Sequence, residues 1–184
     1  MKIHFIYSSL YESVLAEKPI SYTRGSKAAQ VVSAIWKKEA EKIERALYAI
    51  TGLRFKKKEI DCYLNSRRSF SEPLSLLISS PLVMRDNLTH ELIHILLTQN
   101  IDAIKTDLRS FHAAFHTYDF VVRIHILVHA IHLSLAQTIY PSRIKSIRSY
   151  ATSKSYRLSW KIVSEKGREN ILKMMFGSSS SKNL

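Results

Sequence analysis

The chain has 184 residues, of which 46% are hydrophobic and 23% charged, a balance typical of a folded globular protein rather than of a disordered chain. The single cysteine, Cys62, excludes an intramolecular disulfide and a metal site built from several cysteines, so any metal ion must be held by histidines and carboxylates. The formal net charge of +13 is large for this length and predicts attraction to anions.

The N-terminal part of the chain predicts a strand, a long helix and two further strands. Residues 2–8 form a short apolar run that predicts the first strand, and without a signal peptide we expect a cytoplasmic protein. Ser26 is placed to cap an amphipathic helix, which Gly52 is expected to end. Residues 60–65 and 74–79, joined by a polar turn, have the composition of strands. These segments together predict a small antiparallel sheet.

Helices are predicted for the middle of the chain. Asp86 or Asn87 is placed to cap a helix that runs to about residue 98. A second helix is predicted over 102–116 because apolar residues recur there at helical spacing. A third helix is predicted over 120–140, where Pro141 ends it. We therefore expect a helical bundle beside the sheet.

The whole pattern predicts one domain of the α+β class over residues 1–176, with the small antiparallel sheet packed on the helical bundle. The most apolar stretch, 120–136, contains Arg123 and three histidines, so we expect a buried core helix and no membrane span. The segment 141–176 is expected to be helical and basic, and the serine-rich tail 177–184 to be disordered. The basic segment suits an anionic partner, which can be nucleic acid, an anionic membrane surface or an acidic protein, but a solubilising surface has the same composition.

The pentad HELIH at residues 90–94 carries recognisable chemistry. Two histidines four residues apart on a helix project from the same face, so His90 and His94 can bind one Zn²⁺ at about 2 Å. Glu91 lies beside these ligands and suits a general base that takes a proton from water as the water attacks a carbonyl. Residues 87–96 contain no charged residue other than Glu91, which predicts that this helix is embedded in a core.

In these residues the chain resembles the zincin metallopeptidases, which share HExxH on an active-site helix beneath the edge strand of a small sheet. The resemblance covers the pentad and, loosely, the order of elements across residues 26–140. It implies a zincin-like fold with His90 and His94 as zinc ligands and Glu91 as the general base. It also implies that a substrate peptide lies along the edge strand before the helix, around residues 74–79.

A catalytic zinc ion usually takes three protein ligands, so a third ligand is needed. The metzincin pattern is excluded because Leu97 and Asn100 occupy the positions where it has glycine and histidine. The gluzincin pattern takes a downstream glutamate, but the only ones are Glu165 and Glu169, far along the chain in the basic segment. A histidine is therefore favoured.

Helical phase separates the remaining histidines. On the predicted helix 102–116, His112 and His116 fall on the polar face and are expected to be solvated. On the next helix, His125, His129 and His132 share an apolar stripe and are expected to be buried. We predict His129 as the third ligand with His125 as the alternative, and the other of the two as a supporting hydrogen-bond donor or oxyanion stabiliser. His132 is expected to have a packing or supporting role.

The sequence therefore predicts a zinc metallopeptidase that hydrolyses peptide bonds in a peptide or protein substrate. Tyr118, in phase with the histidine stripe, is a further candidate for stabilising the oxyanion, by analogy with zincins. Trp160 is assigned to packing, and Cys62 is expected to be buried within a strand. The alternatives are a nucleic-acid-associated metalloprotease or regulator, and a non-enzymatic protein in which zinc is structural or the pentad is accidental.

Overall fold

The computed structural model describes residues 1–149 and 153–177. These residues are mostly helical, with one small four-stranded sheet, which confirms the α+β class. They form two compact units. The first unit comprises Met1–Glu41 and Phe55–Ile95, and the second comprises Lys42–Arg54 and the described residues from Leu96 onward.

The sheet belongs to the first unit and is mixed. Its strands are β1 (Lys2–Tyr7), β2 (Glu59–Asn65), β3 (Phe70–Ser71) and β4 (Leu74–Leu77), in the spatial order β1-β2-β4-β3. β1 and β4 both pair with β2 in parallel, and only β3 and β4 are antiparallel. The prediction of an antiparallel sheet was therefore wrong. The polar turn after β2 leads into the short β3 rather than directly into β4, so that β2 and β4 run in the same direction.

β4 is an inner strand of the sheet. Its first three residues are buried, and its outer side pairs with β3. Beyond the residues paired with β3, the backbone N–H of Leu77 donates a hydrogen bond to Ser69 Oγ at 2.9 Å. The expectation that residues 74–79 form an edge strand, open to a substrate peptide, was therefore wrong.

Two helices separate β1 from β2 in the chain, α1 (Ser9–Leu15) and α2 (Tyr22–Thr51). α2 begins four residues before the predicted cap at Ser26, so Gly25 lies inside the helix rather than before it. Gly52 has a φ angle of +70° directly after the last helical residue, which confirms the predicted helix end.

The helix that carries the HELIH pentad is α3 (Pro81–Gln99). The helix starts at Pro81 rather than at Asp86 or Asn87 as predicted. Proline suits the first turn of a helix, because the backbone N–H groups there have no partner within the helix and proline has no N–H. Asp86 instead lies within the helix, buried, and accepts hydrogen bonds from Arg85 Nε and Nη2 at 3.2 and 2.8 Å. Residues 84–96 are all buried or partly buried, which confirms the prediction of a core helix.

The remaining helices belong to the second unit: α4 (Ile101–Ala114), α5 (Phe120–Ile139), α6 (Ile144–Ser149), α7 (Lys154–Lys166) and α8 (Arg168–Phe176), with a short 3-10 turn at Pro141–Arg143. Asp119 caps α5 by accepting a hydrogen bond from the N–H of Val122 at 2.8 Å. α5 packs on α7 and α8, and α4 also packs on α8. α4 and α5 confirm the helices predicted over 102–116 and 120–140. α6, α7 and α8 confirm, within the described residues, the helical segment predicted over 141–176. Of the predicted disordered tail, residues 178–184 lie outside the part that the structure describes.

Among the described residues, α5 is the one helix long and apolar enough to cross a membrane. Its mean hydropathy reaches 1.4 over an 18-residue window, and 67% of that window is buried inside the protein. A buried core helix of a soluble protein meets the same criteria of length and composition. The expectation that the chain has no membrane span therefore stays a prediction.

Candidate metal centre

His90 and His94 lie one turn apart on the same face of α3. Their ring centroids are 5.0 Å apart with an interplanar angle of 68°, and both side chains are partly exposed. This arrangement is the one that the i, i+4 spacing predicts. Both imidazoles therefore border the same small volume.

Glu91 directly follows His90 on α3 and is 7% exposed. Burial raises the pKa of its carboxyl to about 8. Burial raises the pKa of the Cys62 thiol of β2 to about 12, and the Glu91 carboxylate, once ionised, adds to this rise. Cys62 is fully buried, as predicted. A carboxyl with this pKa holds its proton at neutral pH, and a nearby cation would favour the ionised form instead.

The three histidines of the α5 stripe are buried, as predicted: His125 is 7% exposed, His129 1% and His132 3%. His125 Nδ1 lies 2.7 Å from the backbone carbonyl oxygen of Val121. Since a carbonyl oxygen can only accept, Nδ1 carries the hydrogen and Nε2 keeps its lone pair. Burial lowers the pKa of His125, against smaller opposing effects of this hydrogen bond and of Asp119. The lowered pKa favours the neutral imidazole of His125, the form that binds a metal.

α7 supports two of the α5 histidines. Ser159 Oγ donates to the carbonyl of Tyr156 at 2.9 Å and lies 2.9 Å from His129 Nδ1, so the imidazole N–H donates to the hydroxyl. Trp160 stacks on His129, with centroids 4.2 Å apart and an interplanar angle of 9°. The Tyr156 ring lies 4.1 Å from that of His125. These roles were not predicted from the sequence, although the i, i+3, i+4 spacing of Tyr156, Ser159 and Trp160 places them on one face of α7.

His90, His94 and His125 form a group that can hold a metal ion, because one ring nitrogen from each lies within 4.8 Å of the others. Two nitrogens bound to one zinc ion at about 2.0–2.1 Å are roughly 3.3 Å apart, a separation that the 4.8 Å limit on this group includes. His129, the first choice from sequence, is not in the group; the alternative, His125, is. Three imidazoles are a known ligand set of catalytic zinc.

The other candidates from sequence lie outside this group. His116 is exposed, as predicted, with Nδ1 2.9 Å from the carbonyl oxygen of Ala113. His112 is less solvated than predicted, because its ring is only 6.0 Å from the ring centroids of both Phe111 and Phe120. Tyr118 is partly buried, 6.4 Å from the ring of Phe115. Its suggested role in stabilising an oxyanion stays a prediction.

Comparisons of the chain with protein-family models, curated proteins and solved structures find no significant match. Membership of the zincin family therefore stays a prediction, based on the HELIH pentad.

Proposed function

We propose that the protein is a zinc-dependent metallopeptidase, in which His90, His94 and His125 hold the ion and Glu91 is the general base. The observation that carries the proposal is the grouping of three imidazole nitrogens within 4.8 Å, with a buried carboxyl directly after the first of these histidines in the chain. The resemblance of the pentad to that of zincins supports the same assignment.

The donor set fits zinc in number and in protonation state. Imidazole is a preferred ligand of Zn²⁺, and His125 already has the tautomer that presents Nε2. Structural zinc sites are closed by four protein ligands, whereas the group found among the described residues has three. This difference favours a catalytic over a structural role. When bound, zinc acts as a Lewis acid that polarises a carbonyl and acidifies water.

Glu91 supplies the proton transfers that peptide hydrolysis requires. Its carboxylate removes a proton from water as the water oxygen bonds to the carbonyl carbon, and returns that proton to the leaving nitrogen as the C–N bond breaks. The buried position of Glu91 strengthens its electrostatic interactions and limits competition from bulk water. His129 does not contact the reacting atoms in this scheme; it packs between His125 and Trp160 and helps to position the ligand.

The test combines metal analysis with a peptide-library cleavage assay on purified wild-type protein and three variants. We expect one zinc per chain in the wild type. Glu91→Gln should keep the zinc and lose turnover by about 10²-fold or more, because the amide cannot accept the proton. His94→Ala should lose both zinc and turnover, whereas His116→Ala, which removes an exposed histidine outside the group, should keep both.

Equal turnover in the wild type and Glu91→Gln would contradict the catalytic assignment. Zinc binding that survives His94→Ala would contradict the ligand assignment. Circular dichroism of each variant distinguishes these outcomes from a loss of folding.

A further inference from the structure

α7 carries three basic residues on the side turned away from its core. Lys154, Arg157 and Lys161 are all exposed, and their spacing of three and four residues places them within an arc of about 60° on the helix. The buried residues Ser159 and Val163 lie on the opposite side. The same amphipathic pattern that packs α7 on α5 therefore leaves a row of cations at the surface.

α6 adds two exposed cations, Lys145 and Arg148. The guanidinium carbon of Arg148 lies 5.6 Å from the ring centroid of Trp160, which places this arginine alongside α7. We use the name basic face for these five residues, Lys145, Arg148, Lys154, Arg157 and Lys161. All five belong to the second unit.

Within α6, α7 and α8 the acidic residues are Glu165 and Glu169. On α7, Glu165 lies 3.7 Å from Lys161, but both side chains are well exposed, and a surface ion pair of this kind is worth little. The other acidic residue of the C-terminal helices, Glu169, pairs with its neighbour Arg168 on α8. Within these three helices the five cations of the basic face therefore outnumber the acidic residues.

We propose that the basic face binds the phosphate backbone of nucleic acid, independently of base sequence. A helix that presents cations at intervals of one turn can contact successive phosphates along a strand, and each contact releases condensed counterions. The net charge of +13 adds long-range attraction to the same partner. The proposal does not depend on metal binding by His90, His94 and His125.

Nucleic acid fits this surface better than a membrane or a protein partner does. Membrane-bound amphipathic helices insert apolar side chains, and protein interfaces bury an apolar centre. On α7 the apolar side is already buried against α5, and among residues 141–149 and 153–177 the one large hydrophobic side chain that is strongly exposed is Met174 of α8. Phosphate binding requires only cations and polar groups, and these are what the basic face offers.

The experiment measures binding of a fluorescein-labelled 20-base-pair DNA duplex of mixed sequence to the full chain by anisotropy, from 50 to 300 mM NaCl. The test variant is Lys154→Gln, Arg157→Gln, Lys161→Gln. Its control is Lys27→Gln, Lys37→Gln, Lys38→Gln, which removes the same charge from exposed positions on α2. Each lost phosphate contact reduces the slope of log K against log [salt] by about 0.9.

We expect the test variant to bind at least about tenfold more weakly at 100 mM salt, with a slope shallower by roughly two to three, and the control to stay within about threefold of wild type. Three outcomes would overturn the proposal: an unchanged affinity and slope in the test variant, an equal loss in both variants, or wild-type binding to phosphatidylserine vesicles without binding to the duplex. Circular dichroism checks that both variants fold.

Discussion

Gly25 shows how a single position can oppose the preference of the element that contains it. It lies inside α2, where alanine would favour the helix by about 1 kcal/mol over glycine. A Cβ atom at this position would overlap the ring of Tyr7, however. The ring is held in place, since the Tyr7 hydroxyl donates to the carbonyl of Ile20 at 2.7 Å. Glycine is therefore required here by close packing rather than by a turn.

We predict that Gly25→Ala destabilises the protein by about 1–3 kcal/mol, because overpacking against Tyr7 outweighs the gain in helix propensity. Urea denaturation followed by far-ultraviolet circular dichroism measures the change. Ser33→Ala, at an exposed position of the same helix, is the control and should change stability by less than about 0.5 kcal/mol. A Gly25→Ala protein as stable as this control would show that Tyr7 moves aside at little cost.

At the scale of elements, the sequence predicts the helices well and the sheet only in part. The bounds of α4 and α5 follow from apolar periodicity and from Pro141, which are local signals. The directions of β2 and β4 depend on the short β3, two residues long, which carries too little pattern to be recognised. The start of α3 was missed because Asp86, a good capping residue, forms a buried pair with Arg85 instead.

The candidate site was predictable to the level of a helix face. The i, i+4 spacing identified His90 and His94, and helical phase identified the buried stripe on α5. Helical phase could not show which of His125 and His129 is the third ligand, since both lie on that stripe. The structure distinguishes them through partners that no local pattern contains, among them Ser159, which is 30 residues away from His129 in the chain.

We predict that Ser159→Ala destabilises the packing of α5 on α7 by about 1–3 kcal/mol, because the buried N–H of His129 loses its acceptor. Urea denaturation followed by tryptophan fluorescence measures this, since Trp160 stacks on the same imidazole. Ser164→Ala is the matched control, because Ser164 is exposed and its hydroxyl donates to the carbonyl of Trp160 on its own helix.

Nitrogen NMR of the imidazoles gives a second measurement for the same variant. In the wild type, His129 should be the tautomer with hydrogen on Nδ1, and Ser159→Ala should shift the tautomer equilibrium. An unchanged tautomer together with unchanged stability would mean that the serine has no positioning role.

At the scale of the whole molecule, the sequence predicted both the α+β class and the basic C-terminal helices, because composition and charge are properties of the chain itself. It could not predict which basic residues share a surface. That depends on α7 burying Trp160 and Val163, which leaves Lys154, Arg157 and Lys161 outside. Net charge thus predicts attraction to anions, whereas the fold decides where the anion binds.

The labelling rate of the single cysteine, Cys62, measures how accessible β2 is in the folded protein. Cys62 is fully buried in β2, and burial together with the charge of Glu91 raises the pKa of its thiol to about 12. The folded state therefore favours the neutral thiol, and this contribution to stability is present below the ordinary thiol pKa of 9.0 and is lost as the pH rises towards 12. Since only the thiolate is nucleophilic and Cys62 is fully buried, labelling at pH 8 should be slow in the folded state.

We predict that Ellman's reagent at pH 8 labels native Cys62 at least about 10³-fold more slowly than it labels the chain in 6 M guanidinium chloride, because at pH 8 a pKa of 12 alone lowers the thiolate fraction by about that factor. The control introduces Ser33→Cys on the exposed side of α2 in a Cys62→Ser background, where native labelling should be fast. Native labelling of Cys62 at the rate of this control would mean that β2 is accessible without unfolding, which would contradict the buried environment assigned to both Cys62 and Glu91.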